Sequence, residues 1–156
     1  MQKIKLQLIF PTLLLCVLAA AAGCITGALT AGFGRVLLWI GTFRTEHLIS
    51  CVPFLPIAGV CMVWIYQKYG RESSQGMSLI FDAADGTAKR ISFRLIPLLI
   101  GSTWLTHLCG GSAGREGAAL QLGGSVGSVL GRVFRLAERD KQVLMLCGMS
   151  AAFSAI

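Results

Sequence analysis

Long apolar runs separated by short polar stretches make up most of this chain. Four hydrophobic units span residues 6–40, 48–66, 95–109 and 117–131, and a fifth apolar piece begins at Val143. A helix needs about 20 apolar residues to cross the ~30 Å core of a bilayer, so the fourth unit is too short to cross alone. The pattern predicts an all-α membrane protein that combines several transmembrane helices with shorter, re-entrant ones.

The first unit begins like a signal peptide, with Lys3 and Lys5 ahead of an apolar run. The uncharged run continues to Gly34, which is well past the length of a typical signal core. We interpret it as a retained span with a re-entrant or interfacial portion, kinked or loosened by Pro11, Gly23 and Gly27.

Charged residues collect at the ends of the apolar runs. The net charge is +7, but a charged share of 13% is about half that of a soluble domain, which argues against a nucleic-acid-binding protein. Bases that flank spans favour the cytoplasmic side. The bases expected there are Lys3, Lys5, Lys68, Arg71, Lys89, Arg90 and Arg94. The loop between the first two units is expected to face outward, with Arg35, Arg44, Glu46 and His47. The pattern assigns no side to a later basic loop, residues 132–142.

Six cysteines lie in or beside the apolar runs without a C-x-x-C pair. Small buried apolar residues are the favoured interpretation, with metal ligation or a disulfide as the alternative. The six are Cys16, Cys24, Cys51, Cys61, Cys109 and Cys147.

The segment Gly110-Gly-Ser-Ala-Gly-Arg-Glu-Gly117 interrupts the apolar sequence. Between residues 95 and 131 the only formally charged residues are Arg115 and Glu116, and ionisable residues at membrane depth indicate a functional site. We expect a helix to begin directly after Glu116, with N–H groups that attract an anion or the Glu116 carboxylate itself. The alternatives are a local ion pair at the membrane surface and a flexible hinge.

A second polar-to-apolar transition occurs at Ser73-Ser-Gln-Gly-Met-Ser-Leu-Ile-Phe81. Ser78 is expected to cap a short helix whose N-terminus points back toward the membrane. A plain cytoplasmic loop is the alternative.

Three glycines in the fourth unit recur every four residues, at Gly123, Gly127 and Gly131. This spacing places them on one helix face and favours close packing against another membrane helix. We expect their packing partner to be missing from this chain.

Gly114-Arg-Glu-Gly117, with the Ala-Ala-Leu-Gln-Leu-Gly-Gly that follows, resembles the G-[KR]-E-G-P motif and next helix of the CLC chloride channels and anion/proton antiporters. The resemblance extends to Cys147-Gly-Met-Ser-Ala-Ala-Phe153, and it places Gly76-Met77-Ser78 where the family has G-S-G-I-P. It implies that residues 1–156 are the N-terminal part of a CLC-like inverted-repeat fold, a partial transmembrane domain truncated at its C-terminus.

The resemblance also implies roles for individual residues. Glu116 becomes the gating glutamate, which blocks the anion path when ionised, and the N–H groups of Gly117 and Ala118 bind the anion. Two departures, Met77 for the usual serine and Ala118 for the usual proline, resemble the branch with fluoride/proton antiporters. The implied anion-binding residues are Gly76, Met77, Ser78, Gly114, Arg115, Gly117 and Ala118.

The function so implied is anion transport, by a channel or a proton-coupled antiporter for chloride or fluoride, without enzyme activity, cofactor or metal. The implied partners are the anion, protons and the lipid bilayer, with a homodimer at full length. The expected location is the inner (plasma) membrane of a bacterium, as a multi-pass protein. Residues 1–156 alone are expected to insert without transporting.

Two other classes remain open from the sequence. A nucleotide-binding module is suggested by the glycines at 111, 114 and 117, but the preceding strand and the G-x-G spacing are missing. A non-transporting structural or assembly membrane subunit accounts for the packing glycines alone.

Overall fold

The computed structural model describes the backbone of residues 2–70, 76–87 and 91–156, and the side chains of these residues from Thr12 onward. Every regular element in these ranges is helical. The elements are α1 (Gln2–Glu46), α2 (Leu48–Cys51), a 3-10 turn (Val52–Phe54), α3 (Leu55–Tyr69), α4 (Met77–Ala84), α5 (Leu95–Leu108), α6 (Arg115–Val133) and α7 (Glu138–Ser154).

The first apolar unit is one continuous helix of 45 residues, which is about 68 Å at 1.5 Å per residue. The helix continues through Pro11, Gly23 and Gly27, so the re-entrant alternative was wrong, while an interfacial portion stays a prediction. It also runs to Glu46, past the predicted end of the unit at residue 40, so Arg44 and Glu46 belong to α1 rather than to a loop. Arg35, also expected in that loop, lies within the same helix. Two stretches are long and apolar enough to cross a membrane, Thr12–Glu46 and Leu48–Tyr69.

The second and third units follow the sequence pattern closely. Pro53 lies near the start of the 3-10 turn, and Pro56 lies in the first turn of α3. At such positions the missing N–H of proline has no intrahelical partner to lose. The third unit, predicted over residues 95–109, is α5 and ends one residue earlier.

Glycines form the contact between α6 and α7. A Cβ atom built on Gly127 would lie 2.5 Å from the carbonyl oxygen of Leu144, and Gly123 and Gly148 lie backbone against backbone. The predicted packing face is therefore confirmed, but the expectation of a missing partner was wrong, because α7 supplies it. Helix α7 begins at Glu138, ahead of the apolar residues from Val143. Its first turn is therefore polar.

Helix α1 packs along α6 in the opposite sense. Phe33 and Leu37 share a buried cluster with Ala118, near the start of α6. Leu18, nearer the start of α1, packs in another cluster with Leu130, near the end of α6. The C-terminal end of α6 therefore lies beside the N-terminal half of α1.

The short helix α4 is held by apolar side chains on one face. Leu79 and Ile80 are buried in a cluster with residues of α5 and α7, which are Leu95, Met145 and Met149, together with Ile91. A Cβ atom on Gly124 of α6 would lie 2.8 Å from Cγ2 of Ile80, so the absence of a side chain there lets α4 approach α6. The short polar-to-apolar segment is thus a docked helix rather than a plain loop.

Candidate anion site at two helix N-termini

Helix α6 begins earlier than the sequence indicated. Gly114 is its N-cap residue, in an extended conformation with φ −67° and ψ 117°, and the helix starts at Arg115. The expectation that the helix begins after the acid was wrong, because Glu116 is already in its first turn. An acid there is stabilised by the partial positive charge of the helix N-terminus.

The backbone N–H groups of this first turn differ in whether they have a hydrogen-bond acceptor within the helix. The Ala118 N–H donates to the Gly114 carbonyl oxygen at 3.4 Å, which is a long bond. The N–H groups of Arg115, Glu116 and Gly117 precede that bond, at the turn where a helix leaves its donors without intrahelical acceptors. The geometry therefore leaves the Gly117 amide better suited than the Ala118 amide to bind an external anion.

The start of α4 lies against this turn. Gly76 is the N-cap residue with φ +62° and ψ −131°, a conformation that glycine adopts far more readily than other residues. Ser78 is the second residue of the helix rather than its cap, so that expectation was wrong. The Met77 Cε atom lies 3.6 Å from a Cβ atom built on Gly117.

The two helices run in the same sense, since Met77 and Ile80 of α4 meet Gly117 and Gly124 of α6 in that order. Their N-termini therefore point toward one place, where the partial positive charges of both helices add. The contact between the two N-termini is that of Met77 with Gly117. The predicted site residues at these N-termini are Gly76, Met77 and Ser78 on α4 and Gly114, Arg115, Glu116, Gly117 and Ala118 on α6. Residues 73–75, from the same predicted segment, lie outside the described part of the chain.

The site lies well below the end of α1. Ala118 packs with Phe33 and Leu37, and Leu37 is nine residues before Glu46, which corresponds to about 14 Å along the helix. Trp104 fixes the same level from α5, because its Nε1–H donates to the Phe33 carbonyl oxygen at 3.3 Å. The N-terminus of α6 is therefore recessed relative to the end of α1.

Arg115 and Glu116 are both exposed, and within the described side chains no ion pair joins them. The alternative of a local Arg115–Glu116 ion pair is thus not what the structure contains. Arg115 instead lines a cavity of about 240 Å³ between α1, the first turn of α6 and the end of α7. Arg35 of α1 lines the same cavity, together with Thr30.

Sequence reasoning did not connect Arg35 with this site. It lies 80 positions before Arg115, and its assignment to a loop removed it from consideration. Among the described residues, no group of three or more His, Cys, Asp or Glu side chains is arranged to hold a metal ion.

The sequence and the fold are similar to those of known proteins. Residues 58–156 match the family model for the voltage gated chloride channel. A chloride/fluoride channel protein of Pseudomonas syringae pv. tomato is 36% identical over 141 residues, covering 88% of this chain and 31% of that protein. The H(+)/Cl(-) exchange transporter ClcA of Citrobacter koseri is 25% identical over 154 residues, covering 88% of this chain and 33% of that protein.

A solved structure also matches this chain, with a higher sequence identity than the two relatives above. A crystal structure of a CLC-type fluoride/proton antiporter superposes with a TM-score of 0.89 and 43% sequence identity, over 94% of this chain and 37% of that one. The fold is therefore that of the corresponding part of that antiporter. This chain spans about a third of the length of the relatives it matches.

Proposed function

The chain belongs to the voltage gated chloride channel (CLC) family, and on that premise we propose that its parent protein carries chloride or fluoride across a membrane. Family membership also makes the chain a membrane protein, and its matched relatives are channels and exchangers rather than enzymes. The observation that carries the proposal is the contact of Met77 with the first turn of α6 at Gly117.

Two helix N-termini that converge form a site for an anion, because unpaired N–H groups and aligned dipoles both favour negative charge. Discontinuous membrane helices recur in transporters for this reason. In the proposed site the anion binds at the Gly117 amide and beside Met77, with Arg115 raising the local positive potential.

Glu116 is the gate in this proposal. Its carboxylate is attached to the same turn that attracts the anion, so an ionised Glu116 competes with the anion for the positive N-terminus. Protonation removes that competition, which couples proton uptake to anion passage. The matched fluoride/proton antiporter and the H(+)/Cl(-) exchanger support this coupling for the parent protein.

The packing of α6 along α1 also supports a topology. If α1 begins in the cytoplasm, as its leading bases favour, the C-terminal end of α6 faces the cytoplasm too. That side then receives Arg132, Arg135, Arg139 and Lys141, to which the sequence assigned no side. We place the full-length protein in the inner membrane of a bacterium as a multi-pass homodimer.

The test is efflux of chloride and of fluoride from liposomes that contain the full-length protein, with proton movement recorded alongside. The Glu116→Gln protein, which mimics the protonated gate, should pass anions without moving protons. Glu138→Gln is the matched control, because Glu138 also lies in the first turn of a helix but belongs to α7.

Two outcomes contradict the proposal. Absence of anion flux from the folded full-length protein would leave a non-transporting membrane subunit as the better description. Proton coupling that survives in the Glu116→Gln protein would remove Glu116 from the gate.

A further inference from the structure

Two turns that are far apart in sequence pack directly against each other beside the candidate site. The 3-10 turn after α2 and the first residue of α3 contact the connection between α5 and α6. Cγ2 of Val52 lies 3.1 Å from a Cβ atom built on Gly110, and Cδ1 of Leu55 lies 3.2 Å from one built on Gly111. The contact brings the residues just before Val52 close to those just before Gly110.

Each turn carries a cysteine next to this contact. Cys51 is the last residue of α2, and Cys109 follows the last residue of α5. Both are free thiols in the structure, with Cys109 buried and Cys51 half-buried. The two thiols also lie near enough for the charge on one to act on the other.

We propose that Cys51 and Cys109 form a disulfide modification site, oxidised by a thiol–disulfide exchange reagent from the outward side of the membrane. The proposal rests on the topology given above, which places the connection after α1 on the outward side. In a bacterium that side faces an oxidising compartment, where disulfides form and persist. No such pairing is visible from the sequence, because 57 residues separate the two cysteines.

The bond forms in two exchange steps. The half-buried Cys51 thiolate attacks one sulfur of a disulfide oxidant, RSSR, forms a mixed disulfide and expels RS⁻. The Cys109 thiolate then attacks the Cys51 sulfur and expels the second RS⁻. The pair loses two electrons and two protons, and RSSR is reduced to two RSH.

The second step has a pH dependence with a definite sign. Only the thiolate of Cys109 attacks in this step, while Cys51 is an uncharged mixed disulfide. The thiolate fraction of Cys109 grows with pH, so ring closure should accelerate as the pH rises.

The bond would tie the 3-10 turn to the segment that leads to Gly114 and the first turn of α6. It closes a loop that includes all of α3, α4 and α5, so it limits the freedom of the unfolded chain. The oxidised protein should therefore unfold at a higher temperature than the reduced protein.

The experiment uses the full-length protein in membranes, incubated with glutathione disulfide and then alkylated with N-ethylmaleimide. Trypsin releases Cys51 on peptide 45–68 and Cys109 on peptide 95–115. A Cys61→Ser background leaves one cysteine on each peptide. Mass spectrometry should find the two peptides linked, with loss of alkylation at both cysteines, and separate after reduction.

Single replacements Cys51→Ser and Cys109→Ser are the controls, and each should abolish both the linked peptides and the rise in unfolding temperature. Alkylation of both cysteines as free thiols after oxidant treatment of the folded protein would overturn the proposal. Anion flux by the reduced protein is measured separately, so failure of the disulfide and failure of the transport function give different results.

Discussion

The Met77 side chain of α4 contacts the start of α6. Replacing it tests which anion the proposed site prefers. A thioether cannot donate a hydrogen bond to an anion, whereas a serine hydroxyl can. The family usually has serine at this position, so Met77→Ser in the full-length protein should raise chloride flux relative to fluoride flux. A difference of about 1.5 kcal/mol, the size of one hydrogen bond to a charged group, corresponds to a change of about tenfold in this ratio. Paired efflux measurements with the two anions give the ratio.

Met62→Ser is the control for this change, since Met62 lies on α3 outside the site and is also half-buried. It should leave the ratio of the two fluxes unchanged. A ratio that stays constant in an active Met77→Ser protein would place Met77 outside the anion path.

Arg115 acts in the proposal through its charge. It is exposed and lines the cavity beside the α6 N-terminus, so Arg115→Gln should lower anion flux by a few-fold, roughly threefold at low ionic strength. Added salt should shrink the difference, because screening weakens an exposed charge.

Arg139→Gln, at the exposed start of α7, is the matched loss of charge at the other end of α6. Equal flux losses in the two variants would show that only net charge matters, and would contradict a local role for Arg115.

At the scale of helices, the contact of α6 with α7 depends on the absence of side chains. A methyl group at Gly127 would lie 2.5 Å from the Leu144 carbonyl oxygen, so the backbones must separate to admit it. Gly127→Ala should therefore lower the free energy of unfolding by about 1–3 kcal/mol, as overpacking does elsewhere. Thermal unfolding in detergent measures the loss.

Gly101→Ala in α5 is the control, because a Cβ atom there meets nothing within 4 Å. Alanine favours helix over glycine by about 1 kcal/mol, so this variant should be neutral or more stable. If both variants unfolded at the temperature of the unaltered protein, the glycine face would not govern the packing.

For the molecule as a whole, residues 1–156 span about a third of the matched relatives. The chain contains the two converging N-termini but exposes Arg115 and Glu116, and an unenclosed charge at membrane depth costs a few kcal/mol. Residues 1–156 alone should therefore insert into liposomes without passing chloride or fluoride, while the full-length protein passes anions. Efflux from residues 1–156 that depends on Glu116 would contradict this prediction.

The sequence by itself determined the helical class, the apolar units and the motif at Gly114–Gly117. These follow from local properties: apolar length sets the helices, and an isolated Arg-Glu pair among glycines marks a helix start. The glycine spacing in α6 likewise predicted a packing face, since a repeat of four residues fixes one side of a helix. Helix ends were less well predicted, because polar residues such as Glu138 extend helices beyond their apolar part.

Only the tertiary structure decided which segments meet. It set α7 against the glycines of α6, Met77 against Gly117, Arg35 beside Arg115, and the turn of Cys51 against that of Cys109. It also set α6 antiparallel to α1. That direction supports a cytoplasmic side for the bases from Arg132 onward. Such pairings depend on the fit of surfaces between helices that are distant in sequence, and no local pattern of residue types encodes that fit.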